Sequence, residues 1–201
     1  MPSLYDLKSA FQELLRPPTG FLARAGVTPN QVATATMVLS FAVGCAVVWW
    51  HQTRWVLLLI PLALLVRMAL DAVADMLARE HHMTSNLGTM VKELGDVLSD
   101  TALYLPFAAI PGVSGMLVVP VVVLSLVSEL TGVLAVQIGA PRRHDGPMRR
   151  NDRAVVFGLL ATMLGLGAHP GRWLNAVLVF VLALLVLTIV NRAQQALKGA
   201  S

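Results

Sequence analysis

Charge is scarce in this 201-residue chain, and carboxylate is the scarcer sign. Asp, Glu, Lys and Arg make up 13% of residues, eleven acidic against fifteen basic. With a mean hydropathy of +0.71, this excludes an ordinary soluble globule. A single cysteine, Cys45, excludes a disulfide framework. It lies in an apolar run and is expected to be a small buried core residue. The net charge of +4 comes without a basic domain or interleaved aromatics, which excludes nucleic acid as a partner. The N-terminal stretch carries Asp6, Lys8, Glu13, Arg16 and Arg24 without a continuous apolar core, so it does not read as a cleavable signal. Internal repeats, low-complexity segments and a second soluble domain are also missing.

Long apolar runs are what the chain has instead. It has length for about six membrane spans of roughly 20 residues with short connections. The runs are Val32 to Trp50, Trp55 to Ala78, Leu87 to Ile110, Met116 to Ile138, a short one from Ala154 to Leu166, and Trp173 to Val190. The first follows the turn Thr28-Pro29-Asn30, and Pro111-Gly112 ends the third. Pro61, Pro106 and Pro120 fall inside runs, where kinks are tolerated. Ahead of them, Leu4, Leu7, Phe11, Leu14 and Leu15 share one helical face over residues 3–16, closed by Pro17-Pro18. That pattern predicts an amphipathic helix lying at the membrane surface. The expected fold class is therefore an all-α integral membrane protein with six transmembrane helices after an interfacial helix. Residues 1–26 form the juxtamembrane part and residues 27–201 the membrane domain.

An even number of spans puts both termini on one side. Lys8, Arg16, Arg24, Arg79, Lys92, Arg142, Arg143, Arg149, Arg150, Arg153, Arg192 and Lys198 share that side, against Arg54 and Arg172 on the other. The bias assigns the termini and their loops to the cytoplasm. Trp49, Trp50, Trp55 and Trp173 read as interfacial anchors near the outer boundary.

Six of the eleven carboxylates crowd between Asp71 and Asp100. Asp71/Asp75 and Asp96/Asp100 each repeat at a spacing of four, about 40° apart around a helix. They lie at the facing, cytoplasmic ends of the second and third runs. Ionisable groups at membrane depth are costly and mark functional sites. Converging hard oxygens suit one or two divalent ions such as Mg²⁺, Mn²⁺ or Ca²⁺. Small neighbours at Ala74, Ala78, Gly88 and Gly95 allow the helices to approach closely. The competing structural reading pairs Asp71 with Arg67 and Asp75 with Arg79. Four carboxylates against two arginines still leave negative charge over. Glu129, mid-run in the fourth segment, reads as a partner for Arg67 or as a lining residue of a lipid-side cavity. His81 and His82 read as a solvated loop. Arg142, Arg143, Arg149, Arg150 and Arg153 flank the loop between the fourth and fifth runs. Arg149, Arg150 and Arg153 can form a phosphate-recognising cluster or express cytoplasmic positive bias; the bias alone suffices for Arg142 and Arg143.

The run Asp71-Ala-Val-Ala74-Asp75-Met-Leu-Ala78-Arg79, then eight residues, Gly88, and Asp96-x-x-x-Asp100 resembles the CDP-alcohol phosphotransferases. Their pattern is D-x-x-D-G-x-x-A-R, eight residues, then G-x-x-x-D-x-x-x-D. Val27-Thr-Pro-Asn30 also matches the family's usual entry to the first span, and the likeness covers nearly the whole chain. There are two departures. Ala74-Asp75 stands where the pattern has D-G, and Lys92 stands where the first aspartate after the glycine falls, with the aspartates one helical turn later.

The resemblance implies transfer of a phosphatidyl or similar group from a CDP-linked lipid donor, such as CDP-diacylglycerol, to a hydroxyl acceptor with release of CMP, in bacterial phospholipid synthesis at the inner membrane. It implies Mg²⁺ or Mn²⁺ on Asp71, Asp96 and Asp100, with Asp75 as a substitute ligand and Asp100 as general base. Arg79, Ala78, Ala74, Gly88 and Asn30 would border the donor, and Arg149, Arg150 and Arg153 a small, phosphorylated alcohol acceptor. It also implies membrane lipids as surroundings and a homodimer. A carboxylate in place of the motif glycine would crowd and repel a pyrophosphate, so an inactive homologue serving as a binding or scaffold protein stays open. A divalent-cation transporter would leave Ala78-Arg79 and the arginine loop unexplained.

Overall fold

A computed structural model describes residues 4–143 and 145–199, with side chains from Glu13 onward. Among these residues the chain is helical and has no strand. Seven α-helices follow in order: α1 (Leu4–Arg24), α2 (Pro29–Trp49), α3 (Leu59–Glu80), α4 (Asn86–Tyr104), α5 (Gly115–Gln137), α6 (Arg150–Gly165) and α7 (Arg172–Gly199). Short 3-10 turns at Arg54–Leu58 and Leu105–Ala109 precede α3 and follow α4. Each of the six apolar runs thus carries a helix. Among the described residues, four helical stretches are long and apolar enough to cross a membrane: α2, Arg54–Glu80, α5 and α7. α4 holds Lys92, Glu93, Asp96 and Asp100, and α6 has 16 residues.

Local chemistry explains where the helices begin and end. The predicted turn at Thr28-Pro29-Asn30 is the start of α2. Gln31 Oε1 accepts the Thr28 N–H at 3.0 Å, and Thr28 Oγ1 accepts the Gln31 N–H at 3.4 Å. This is a capping box with Pro29 at the first helical position, where no amide hydrogen is needed. Pro61 is the third residue of α3 and sits in its first turn, so it leaves the helix interior intact. α6 starts at Arg150, four residues before the predicted run, because Asp152 Oδ2 accepts the Arg149 N–H at 2.9 Å. α7 continues past Val190 to Gly199.

Two expectations are overturned. Pro17 and Pro18 do not end α1, which runs on to Arg24. The carbonyls that lose donors belong to Glu13 and Leu14, which are exposed along with both prolines, so solvent or lipid headgroups can satisfy them. Cys45 is exposed. In helices apolar all round, hydrophobicity does not distinguish an inward from an outward position. For the predicted amphipathic face, Leu4, Leu7 and Phe11 lie outside the described side chains. Leu14 is exposed, and Leu15 is partly buried.

The helices divide into two compact units, one of residues up to Ala42 with Leu62–Ser99, the other of Val43–Pro61 with Asp100 onward. In the first, Val32, Val73, Ala74 and Leu77 form a buried cluster against which Leu15, Leu22, Ala23, Val27 and Leu70 pack. The second half of α1 is thus seated on α2 and α3. The hydroxyl of buried Thr19 donates to the Leu15 carbonyl at 2.7 Å, which satisfies it within the helix.

In the second unit Phe157 stacks on Tyr104 at 4.2 Å and meets Phe107 edge-on at 5.1 Å. α4 ends just before Pro106, which cannot donate to the Ala102 carbonyl. Gly44 packs directly on that carbonyl oxygen, so closely that a methyl group there would overlap it. Close Cα–H···O approach of this kind needs a glycine. Gly44→Leu should therefore cost about 1–3 kcal/mol through overpacking. Thermal unfolding in detergent should show a lowered midpoint, whereas Cys45→Leu, at an exposed neighbour, should leave it within a degree or so.

Candidate functional site

The first unit collects three of the four predicted carboxylates. Arg67, Asp71 and Asp75 lie at spacings of four along α3. Arg67 is buried, and its guanidinium bridges α3 to α4. Its Nε stands 4.0 Å from Asp71 Oδ2, and its NH2 group stands 3.9 Å from Asp96 Oδ1 and donates to the Asp96 main-chain carbonyl at 3.0 Å. The expected Arg67–Asp71 pair is present. Asp75 is not on Arg79 but on the ammonium of Lys92, which donates to its Oδ1 across the α3–α4 gap. Arg79 is exposed in the last turn of α3.

Beside this pair lies a cleft of about 100 Å³ lined by Asn30 and Ala33 of α2, Ala74, Asp75 and Ala78 of α3, and Gly88 and Lys92 of α4, among others. The structure thus gathers Asn30, Ala74, Asp75, Ala78 and Gly88, all named from the sequence. Ser85 caps α4: its Oγ accepts the Gly88 N–H at 2.9 Å, and its carbonyl accepts the Thr89 N–H at 3.0 Å. The N-terminal ends of α2 and α4, carrying positive partial charge, both border the cleft. A methyl group at Gly88 would stand 2.6 Å from Asn30 Oδ1 and 3.0 Å from Ser85 Oγ. Only hydrogen there leaves Asn30 its place. Ala74 faces two ways, bordering the cleft while buried in the cluster with Val32 and Leu77.

The second unit holds Asp100 and the arginines. Arg153 is completely buried; its NH2 group donates to Glu129 Oε1 at 2.9 Å and to Asp100 Oδ2 at 3.4 Å, and its NH1 group donates to the Met148 carbonyl at 3.4 Å. Arg150 Nε stands 3.7 Å from Asp100 Oδ1. Glu129 therefore pairs with Arg153, and it also meets Arg192 at 3.5 Å. Arg192, also buried, donates to the Ser128 carbonyl at 2.6 Å and the Asp145 carbonyl at 3.1 Å. Of the predicted trio, Arg150 and Arg153 converge on Asp100, while Arg149 is exposed and pairs with Asp152 at 3.2 Å.

Arg192 was missed because 39 residues separate it from Arg153, and only tertiary structure joins them. In the α5–α6 loop, burial and then the guanidiniums of Arg192 and Arg150 lower the pKa of Arg142 from the ordinary arginine value. Arg142, Arg150 and Arg192 thus gather positive charge in one place.

A divalent cation fits this constellation in part. Asp71 and Asp96 face the same guanidinium and offer hard oxygens to one ion. Asp75 is held by an ammonium. Among the described residues, no three His, Cys, Asp or Glu side chains come together as a metal-binding group.

No protein-family model matches the chain. Its fold is that of phosphatidylinositol phosphate synthase (PgsA1) of Mycobacterium tuberculosis. The structure of that enzyme with CDP-DAG bound matches with a TM-score of 0.79 over 94% of this chain and 96% of that one, at 19% identity. Its complex with manganese and citrate matches with a TM-score of 0.77 over 92% and 91%, at 20% identity. Fold and apolar helices together define a helical membrane protein. In sequence the chain is 36% identical to the inner membrane protein YnbA of Escherichia coli K12 over 195 residues, 97% of this chain and 96% of the relative. It belongs to the same family as YnbA.

The buried ion cluster yields a prediction. Removing Arg153 takes the shared guanidinium from Asp100 and Glu129 and leaves each with a longer pair, to Arg150 and to Arg192, a loss of about 1–3 kcal/mol. Arg153→Met should sharply lower the unfolding midpoint in detergent. Adding Glu129→Gln to that variant should restore part of it. Equal stability of Arg153→Met and the unaltered chain would refute the assignment.

Proposed function

We propose that this chain is an integral-membrane CDP-alcohol phosphotransferase that moves a phosphatidyl group from a CDP-linked lipid to a small alcohol and releases CMP. The observation that carries this reading is the cleft in which Asn30, Ala74, Asp75, Ala78 and Gly88 meet. The fold likeness to an enzyme whose structure has CDP-DAG bound supports it. Residues 1–26 would lie along the inner face of a bacterial inner membrane, with residues 27–201 as a six-span domain. Both termini and the acidic site would be cytoplasmic, following the arginine and lysine bias. A homodimer is part of the same reading.

The chain's residues take the following roles. The small walls at Ala74, Ala78 and Gly88 admit the flat nucleotide, and the Asn30 amide orients it by hydrogen bonding. The N-terminal ends of α2 and α4 draw the diphosphate, with Arg79 closing on it from the end of α3 by its planar fork. Asp71 and Asp96 would hold the divalent ion, Mg²⁺ or Mn²⁺, which would offset charge on the phosphates when bound. Asp100 takes the proton of the acceptor hydroxyl. Arg150 and Arg153, with Arg149 at the rim, would recognise a phosphate on the acceptor, and the gathered charge of Arg142 and Arg192 favours an anion there.

A second reading has one observation in its favour. The Asp75–Lys92 pair and the apolar seat of Ala74 place two motif positions outside the pattern, as in an inactive homologue that binds the nucleotide lipid as a scaffold.

The test is CMP release from CDP-diacylglycerol by purified protein with Mn²⁺ or Mg²⁺, against a panel of alcohols. Turnover is expected, with a loss of about 100-fold or more in Asp100→Asn. The comparison is an Ala74→Asp, Asp75→Gly double variant. Activity in that variant alone would favour the scaffold reading, and silence in both would reject the transferase.

A further inference from the structure

Resting on this donor reading, we propose that the ammonium of Lys92 takes the electrostatic place of one divalent ion, so that the chain binds a single ion and grips the donor's diphosphate with Lys92.

α4 runs unbroken from Asn86 to Tyr104. Without a bulge in the helix, the spacing from Gly88 puts Lys92 one turn along and Asp96 two turns along. Counted from Gly88 without an insertion, the last two carboxylate positions of the pattern fall on Lys92 and Asp96, and Asp100 stands one turn beyond them. On α3, Ala74 stands at the position of another carboxylate. A set of four carboxylates would carry a formal charge of −4, matched by two divalent ions. Asp71, Asp75, Lys92 and Asp96 carry a formal −2, and Arg67 between Asp71 and Asp96 lowers it to −1, which leaves no charge for a second divalent ion.

Geometry separates the residues in the same way. Asp71 and Asp96 share the Arg67 guanidinium, at 4.0 and 3.9 Å. Asp75 sits on Lys92, with both side chains partly exposed where they line the cleft. The carboxylate that replaces the motif glycine would repel a diphosphate by itself. With Lys92 on it, the pair is neutral and carries a movable cation. Swinging from Asp75 to a phosphate exchanges one charge-assisted hydrogen bond for another. The flexible four-carbon stem of lysine permits that motion. Asp75 is then a positioning residue for Lys92, and the two substitutions compensate each other.

The decisive experiment counts ions on the full chain in nanodiscs, using the EPR signal of free Mn²⁺ during titration in the presence of CDP. One ion per chain is expected, and two with Ala74→Asp combined with Lys92→Asp. Two ions on the unaltered chain, or none, would overturn the proposal. CDP affinity by calorimetry is the second readout. Lys92→Gln should weaken CDP by about tenfold or more, Lys92→Arg by less, and cytidine, lacking phosphate, should respond to neither. Unchanged CDP affinity in Lys92→Gln also overturns it. Failure of the unaltered chain to bind CDP would sink the donor reading instead. The ion count on the unaltered chain would then decide the Lys92 claim alone, with no dependence on how a variant folds.

Discussion

An arginine shared between two carboxylates recurs in both compact units, and the rest of the charged architecture depends on it. In the first unit Arg67 stands between Asp71 and Asp96. In the second, Arg153 stands between Asp100 and Glu129. An isolated charge inside a helical membrane protein costs several kcal/mol. A planar guanidinium with five donors offers two carboxylates separate edges, which an ammonium does less well. Each shared arginine therefore gives two carboxylates a common partner while joining separate helices. Around Arg67 one negative charge is left over, whereas around Arg153 the further arginines Arg150 and Arg192 more than take it up.

The position of Ala74 shows how packing and chemistry compete at one residue. Its methyl is buried with Val32, Val73 and Leu77, in the cluster that seats α1. A carboxylate introduced there would enter an apolar neighbourhood and need a cation at once. The acid in this stretch stands one residue on, at Asp75, rotated by about 100° toward Lys92. The substitution at residue 74 strengthens the seat of α1. The one at residue 75 demands a counter-ion, which α4 provides.

The helices themselves were legible in the sequence, since each apolar run carries one. Their ends were less so, because ends follow from single hydrogen bonds. The start of α2 is set by Thr28 and Gln31, three residues apart, and that signal was available as a capping box. Pro17-Pro18 looked like a stop because proline removes donors. Whether that ends a helix depends on which side the orphaned carbonyls face, and this is a tertiary property. Cys45 was misjudged because an apolar sequence does not say which face of a helix is outward. At the site, the Arg67–Asp71 pair followed from the spacing of four. The Asp75–Lys92 and Glu129–Arg153 pairs cross between helices and are set by packing. The cleft lay between these cases: its members were named from a motif, but only the fold brings Asn30 to Gly88.

Lysine and a divalent ion are not equivalent occupants of a phosphate cleft. A bound ion draws phosphate oxygens and carboxylates into one fixed coordination shell and polarises them strongly. An ammonium carries half the charge, holds three donors on a mobile stem, and needs no free ion to be present. A cleft built around Asp75 and Lys92 is therefore neutral when empty and keeps its shape without metal. It also gives up part of the polarisation that a second ion would bring to the leaving group. Binding suffers less from that exchange than bond breaking does, because binding rewards total charge while catalysis rewards charge placed at the reacting atoms. On the proposed reading the pair thus favours tight capture of a diphosphate over rapid cleavage.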